Sequence, residues 1–247
     1  VSAALASSLL AVSFVASALN VVAGGGSFLT LPVLLYIGLG APAANATNRV
    51  GVVVQSLTAV WGFHRHRVLD WDWALGVGLP TALGSGLGAW LALGVGDRQF
   101  RQLLAVFGVL LSLWTLLEAG GRRLQVAKAL AKRPWLVKIG FFVVGIYGGL
   151  IQAGIGFLVL ALTTLAGFDL VRGNAIKVLA ITLQTFVALG VFMSAGQVHW
   201  AEGSILALGG VLGSLVGVRL AVLKGHRWLQ VVVTVSMVAF ALRLLFP

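Results

Sequence analysis

The chain has 247 residues, 60% of them hydrophobic and only 9% charged, with a mean hydropathy of +1.05. A soluble domain carries roughly a quarter charged residues, so this composition excludes a soluble enzyme or binding module and indicates an integral membrane protein. The net charge of +11 lies in short segments between apolar runs, where topology calls for it, so nucleic acid is not an expected partner.

Apolar runs fall at about 3–22, 27–39, 44–63, 73–95, 101–118, 136–153, 156–168, 175–196, 203–222 and 228–246. The first has neither a Met nor a charged n-region ahead of it and reads as a membrane segment. A full span needs about 20 residues, so the 27–39 and 156–168 runs are too short to cross unaided. Each follows a glycine break: Gly24-Gly25-Gly26-Ser27 in the first case, Gly148-Gly149 through Gln152, Gly154 and Gly156 in the second. Broken backbone at membrane depth is tolerated only inside protein or against a watery cavity. The short arms form either re-entrant hairpins or tilted partial crossings.

Shifting the chain by 129 residues lays its first part on its second without a gap. Between positions 25 and 117 there are 24 identities in 93, among them Gly25/Gly154, Gly38/Gly167, Asn45/Asn174, Gln55/Gln184 and Trp71/Trp200. Chance in so biased a composition gives roughly a tenth, which indicates an internal repeat. If the loops near 64–72, 119–138, 169–177 and 219–228 are cytoplasmic, they hold 13 of the 17 Lys and Arg residues. The other side keeps only Arg49, Arg98, Arg101 and Arg243, a positive-inside bias that places both termini outside the cytoplasm. The loop before Asn45 then lies outside and the one before Asn174 inside, so the repeats run in opposite directions.

The expected fold is therefore an all-α integral membrane protein of two inverted-topology repeats. Each has a Gly-broken helical pair or hairpin plus three spanning helices. Residues 1–118 form the first repeat, 119–135 a basic cytoplasmic linker, and 136–247 the second repeat. In transporters of this kind the site lies near the midplane between the repeats.

The residues expected to bind substrate follow from that geometry. Gly24, Gly25, Gly26 and Ser27, with Gly154 and Gly156, bring uncapped helix N-termini into the interior, where N–H groups and the helix dipole favour an anion. Asn45, Asn48 and Gln55 share a helical face, and Asn174, Lys177 and Gln184 form the mate stripe. Buried amides need partners, either broken backbone or substrate. Gln152 lies in the second break, where its mate is Ala23. Lys177 and Arg49 read as interfacial charges that snorkel from helix starts.

Asp70, Asp72, Asp97, Glu118, Asp169 and Glu202 all fall in or beside loops. With no acid at mid-span, the sequence offers no proton-coupling group and no named coupling ion. His64 and His66 are too few for a metal site, and none is expected. Walker, His-Glu-x-x-His and Gly-x-Ser-x-Gly signatures are absent, so neither an enzyme nor an ATP-driven pump is expected, and no cofactor. The Trp residues at 61, 71, 73, 135, 200 and 228 read as interface anchors.

The segment Gly24–Pro32, with Gly38 and Ala41-Pro42-Ala43-Ala44-Asn45-Ala46-Thr47-Asn48, resembles the first signature of the TauE/SafE-type sulfite exporter family of bacterial and archaeal membrane transporters. Gly154-Ile155-Gly156, Gly167 and Arg172-Gly173-Asn174-Ala175-Ile176-Lys177 repeat it. The chain departs from the family pattern at Asn45–Asn48, where a Gly-Thr-Ser-like step is frequent, and at Ile176-Lys177, where small hydroxyl residues are expected. The resemblance implies a multi-pass protein of the prokaryotic inner membrane that moves sulfite, sulfonate, thiosulfate or a similar anion. The expected mechanism is alternating access around the paired Gly-broken segments. An anion channel or a carboxylate transporter of the same fold is the alternative.

Overall fold

The computed structural model describes residues 3–104, 106–107 and 134–245. The expected 101–118 span lies largely outside these residues, as does the linker up to 133. Among the described residues all regular structure is helical. The helices are α1 (Ala3–Val22), α2 (Ser27–Tyr36), α3 (Ala41–Arg65), α4 (Trp71–Leu93), α5 (Pro134–Leu150), α6 (Ile155–Leu165), α7 (Leu170–Ser194) and α8 (Trp200–Leu245). A further helical stretch covers 97–104.

Local chemistry sets the helix ends. The short helices α2 and α6 stop on matched glycines, Gly38 at φ +96° and Gly167 at φ +99°. There the Leu39 N–H returns to the Leu34 carbonyl and the Phe168 N–H to the Thr163 carbonyl, a six-to-one closure that favours glycine's left-handed conformation. Asp70 caps α4 by accepting from the Trp73 N–H, and Asp169 caps α7 by accepting from the Val171 and Arg172 N–H groups.

Packing crosses between the two halves of the sequence. Helix α1 lies along α8, and α4 lies along α5. The surfaces are small-residue ridges, where lipid offers no hydrophobic drive and close backbone approach supplies the attraction. A Cβ at Gly213 would sit 2.1 Å from the Phe14 carbonyl oxygen, and one at Gly88 would sit 2.0 Å from that of Ile146. Helix α3 packs on α8, α7 packs on α4, and α3 meets α7. Among the described residues the long helices thus form two three-helix layers, α1–α8–α3 and α5–α4–α7, joined by α3 and α7. The short helices α2 and α6 lie against α1 and α3, and against α5 and α7, respectively.

Helices α1, α4, α7 and the 200–224 part of α8 are long and apolar enough to cross a membrane. Helix α3 has 25 residues but falls outside that group, because Asn45, Asn48, Arg49 and Gln55 dilute its apolar character.

The loop expected at 219–228 is helical. Residues 200–245 form one continuous helix, so the 203–222 and 228–246 runs are not separate elements. The cause is local. In the first half Gly94-Val95-Gly96 ends α4, whereas the positions 129 residues later are Leu223-Lys224-Gly225. Leu and Lys are good helix formers, and a single glycine costs only about 1 kcal/mol in a helix.

Candidate substrate site

The two glycine breaks meet. Gly24, at φ +106°, has no room for a side chain, because a Cβ there would lie 2.4 Å from the Gly156 carbonyl carbon. The reverse holds too: a Cβ on Gly156 would lie 2.3 Å from the Gly24 Cα. Only glycine allows this approach, which sets the starts of α2 and α6 against each other at the join between the halves. Gly154 caps α6 at φ +74°, and neither α2 nor α6 has a side-chain N-cap. Gln152 takes φ +67°, uncommon for a residue with a side chain.

Each helix that runs into a break is closed by side chains from the other half. Asn174 Nδ2 donates to the carbonyl of Val22, the last residue of α1, at 3.2 Å. Asn45 Nδ2 does the same for Leu150, the last residue of α5, at 3.0 Å. A cation follows in each case. Lys177 Nζ donates to the carbonyls of Asn20 (3.0 Å) and Val21 (2.9 Å) and to Asn174 Oδ1 (2.6 Å). Arg49 donates to the carbonyls of Gly148 (3.0 Å) and Gly149 (2.6 Å) and to Gln152 Oε1 (2.6 Å), with Phe192 over its guanidinium. The last carbonyls of a helix lack intrahelical partners and carry the negative end of its dipole, which a cation satisfies on both counts.

Arg49 and Lys177 are both fully buried. This corrects their expected place at the membrane interface. Lys177 lies within α7 rather than in a basic loop, and the snorkelling argument fails because broken helix ends supply the polar partners that solvent otherwise would.

A small cavity lies between α1, α2 and α3, with Leu206 of α8 as a wall and about 10 Å³ of space, one water's worth. Ser17, Asn20, Asn48 and Gln55 line it, and so does the start of α2 at Gly26 and Ser27. Part of the lining is already organised: Thr30 Oγ1 donates to Asn48 Oδ1 at 2.6 Å, and Asn48 Nδ2 donates to Ser27 Oγ at 3.1 Å. Ser13 Oγ donates to the Leu206 carbonyl, tying α1 to the wall.

Of the residues named from sequence, Gly26, Ser27, Asn48 and Gln55 come together at this cavity. Gly24 and Gly156 form the contact between breaks. Asn45, Gln152, Asn174 and Lys177 belong to the helix closures, and Gly25 and Gly154 lie buried in the breaks. Gln184 is fully buried, with both amide atoms unpartnered, beside Gly148; Asn45 Oδ1 and Arg49 Nε are also unpartnered. Sequence reasoning missed Ser13, Ser17, Asn20 and Thr30. The first three recur at spacings of four and three along α1, a signal of one shared helical face.

Residues 9–244 match the model of the family described as Sulfite exporter TauE/SafE. The chain is similar to the probable membrane transporter protein YfcA of Escherichia coli K12, 29% identical over 240 residues, covering 96% of this chain and 88% of that protein. It is also similar to the probable membrane transporter protein ORF9 of Sinorhizobium sp, 28% identical over 239 residues, covering 96% and 91%. A probable membrane transporter protein of Haemophilus influenzae is 28% identical over 236 residues, covering 92% and 89%. No solved structure matches. A match along nearly the whole chain, on a helical fold built around paired glycine breaks, makes this protein a member of the TauE/SafE sulfite exporter family and a membrane transporter rather than an enzyme.

Proposed function

We propose that the protein is a secondary transporter of a small sulfur-containing anion such as sulfite, thiosulfate or a sulfonate. It works by alternating access around the paired breaks, in two repeats of opposite orientation. The observation that carries the anion preference is the buried charge. Arg49 and Lys177 are buried, and no Asp or Glu is buried among the described residues. The ion pairs described, Arg101–Asp97 and Arg172–Asp169, are exposed. Two full charges face two helix C-termini worth about half a charge each, which leaves roughly one positive charge uncompensated, and the dipoles at the N-termini of α2 and α6, which have no side-chain cap, add to it. An interior of that sign attracts an anion and repels a cation. The family supports sulfur as the central atom of that anion, and the charge argument covers the rest.

The same reading places the protein in the prokaryotic inner membrane, with the 119–135 linker in the cytoplasm and the start of α1 on the other side; the continuous α8 crosses once from Trp200, so its end lies on the cytoplasmic side rather than outside as expected. A ligand-stabilisation screen of purified protein against sulfite, thiosulfate, methanesulfonate and acetate tests the substrate class. Stabilisation by the sulfur oxyanions and not by acetate is expected. Stabilisation by acetate alone returns the protein to the carboxylate class.

A further inference from the structure

The 129-residue repeat lets one half of this chain serve as a control for the other. We infer that only the first of the two breaks seats the transported anion, one per chain, in the cavity between α1, α2 and α3, through neutral O–H and N–H donors. This rests on the anion-transport reading and narrows it to one half of the paired site.

Three side chains carry the inference. Ser17, Asn20 and Gln55 line the cavity at 3%, 9% and 5% exposure, and none makes a side-chain hydrogen bond within the described residues. Unlike the unpartnered Gln184 amide, which is enclosed by packed protein, Ser17, Asn20 and Gln55 face an open space where a bound molecule can complete their hydrogen bonds. The start of α2 opens on the same space; its Phe28, Leu29 and Thr30 N–H groups turn back to the Gly25 and Gly26 carbonyls, so it contributes the positive end of the helix dipole. Behind it, Lys177 holds the Asn20 carbonyl and places its charge one residue's thickness from the cavity. Donors facing inward, a helix N-terminus and a cation behind them suit a small oxyanion held through its oxygens.

The second half lacks this arrangement. The positions matching Ser13, Ser17, Asn20 and Thr30 are Phe142, Ile146, Gly149 and Val159, and Ile155 stands where Gly26 is. Ile155 and Val159 belong to a buried apolar cluster. Gln184 alone keeps its identity with Gln55, and it sits against Gly148 rather than on the cavity. The polar groups at the second break are instead packed on one another and on backbone: Arg49 holds the Gly148 and Gly149 carbonyls and Gln152, and Gln152 Nε2 donates to Thr185 Oγ1 at 3.4 Å. The cavity has room for about one water, so an oxyanion enters when the Leu206 wall separates from α1 and α3.

Titration calorimetry of the full chain in detergent, with thiosulfate and separately with acetate, tests this. The expected result for thiosulfate is one site per chain. Ser17→Ala and Asn20→Ala each weaken it about tenfold, as loss of a hydrogen bond to a charged ligand predicts. Asn20→Asp, nearly the same size, abolishes it by like-charge repulsion while thermal unfolding confirms a folded protein. Gln184→Leu binds as wild type. Two sites per chain, or tenfold weakening by Gln184→Leu with Ser17→Ala and Asn20→Ala unchanged, overturns the one-sided seat. If thiosulfate binds wild type and all cavity variants equally, the cavity is wrong and the transport reading stands. If acetate binds instead and depends on Ser17 and Asn20, the cavity stands and the sulfur reading falls. Binding of neither anion overturns both.

Discussion

Lys177 Nζ lies 3.0 Å from the carbonyl oxygen of Asn20, a residue 157 positions earlier whose side chain lines the cavity. One bond thus joins the charge of the second half to the polar wall of the first. Arg49 makes the converse connection from α3 to the end of α5, so each half completes a helix end that the other leaves open.

This interlock sets the first prediction. Lys177→Met removes charge-assisted bonds to two carbonyls and an amide, each worth about 1.5–3 kcal/mol. A net loss of about 2 kcal/mol lowers Tm by roughly 4–8 °C for a chain of this size. Arg49→Met leaves the Gly148 and Gly149 carbonyls in the same position and is expected to cost as much. Thermal unfolding in detergent measures both, and unchanged midpoints would return these cations to a dispensable role.

The contact between the breaks sets the second. Gly24→Ala and Gly156→Ala each drive a methyl into backbone that has no flexible side chain to yield, and both are expected to lose transport and folded yield. Gly25→Leu is expected to abolish transport while folded protein remains in the membrane, whereas Gly154→Leu, at φ +74°, is expected to lose folded yield as well. Gly190 supplies the control. It lies within α7 with open space where a methyl would go, so Gly190→Ala is expected to be neutral or to gain up to about 1 kcal/mol. Equal behaviour of Gly24→Ala and Gly190→Ala would remove the close approach as an explanation for the glycines.

A third prediction concerns pH. The Asp97 carboxylate accepts from the Ala41 N–H at the start of α3 and from Arg101, and these bonds hold its pKa below the ordinary 3.8. A depressed carboxylate contributes stability that is present in full above its unfolded pKa and is lost as pH falls through the folded one. The difference in Tm between wild type and Asp97→Asn is therefore expected to be constant from pH 8 to about 5 and to shrink below about 4. A difference that grows on acidification would contradict the assignment.

The fourth prediction concerns orientation. The chain has no cysteine, so a single cysteine introduced between 119 and 133 reports its side of the membrane without background. Protection from an impermeant thiol reagent in intact cells, with labelling after permeabilisation, is expected. Labelling in intact cells would reverse the topology.

Much of the frame was legible in the residues. Glycine breaks before runs too short to span, and matched Gly38 and Gly167, predicted two short helices after two interruptions, as observed. Asn45 and Asn174 were legible as a pair because their shared task, closing the last carbonyl of the opposite helix, requires the same amide at the same register. Burial of Arg49 and Lys177 was not legible, because a charge beside a helix start ordinarily reaches solvent, and the carbonyls that replace solvent lie about 100 and 157 residues away. Ser13, Ser17 and Thr30 escape a sequence reading because isolated hydroxyls in apolar helices usually bond their own backbone. The continuity of α8 was hidden by Lys224-Gly225-His226-Arg227, which has the composition of a loop but no residue that stops a helix.

The most direct measurement of the central claim is counterflow of labelled thiosulfate in proteoliposomes containing the full chain. A carrier with one anion seat predicts saturable uptake accelerated by unlabelled thiosulfate on the far side, and loss of that uptake in Asn20→Asp. Flux that neither saturates nor responds to the far side would show a pore, and counterflow unaffected by Asn20→Asp would show that the anion passes elsewhere.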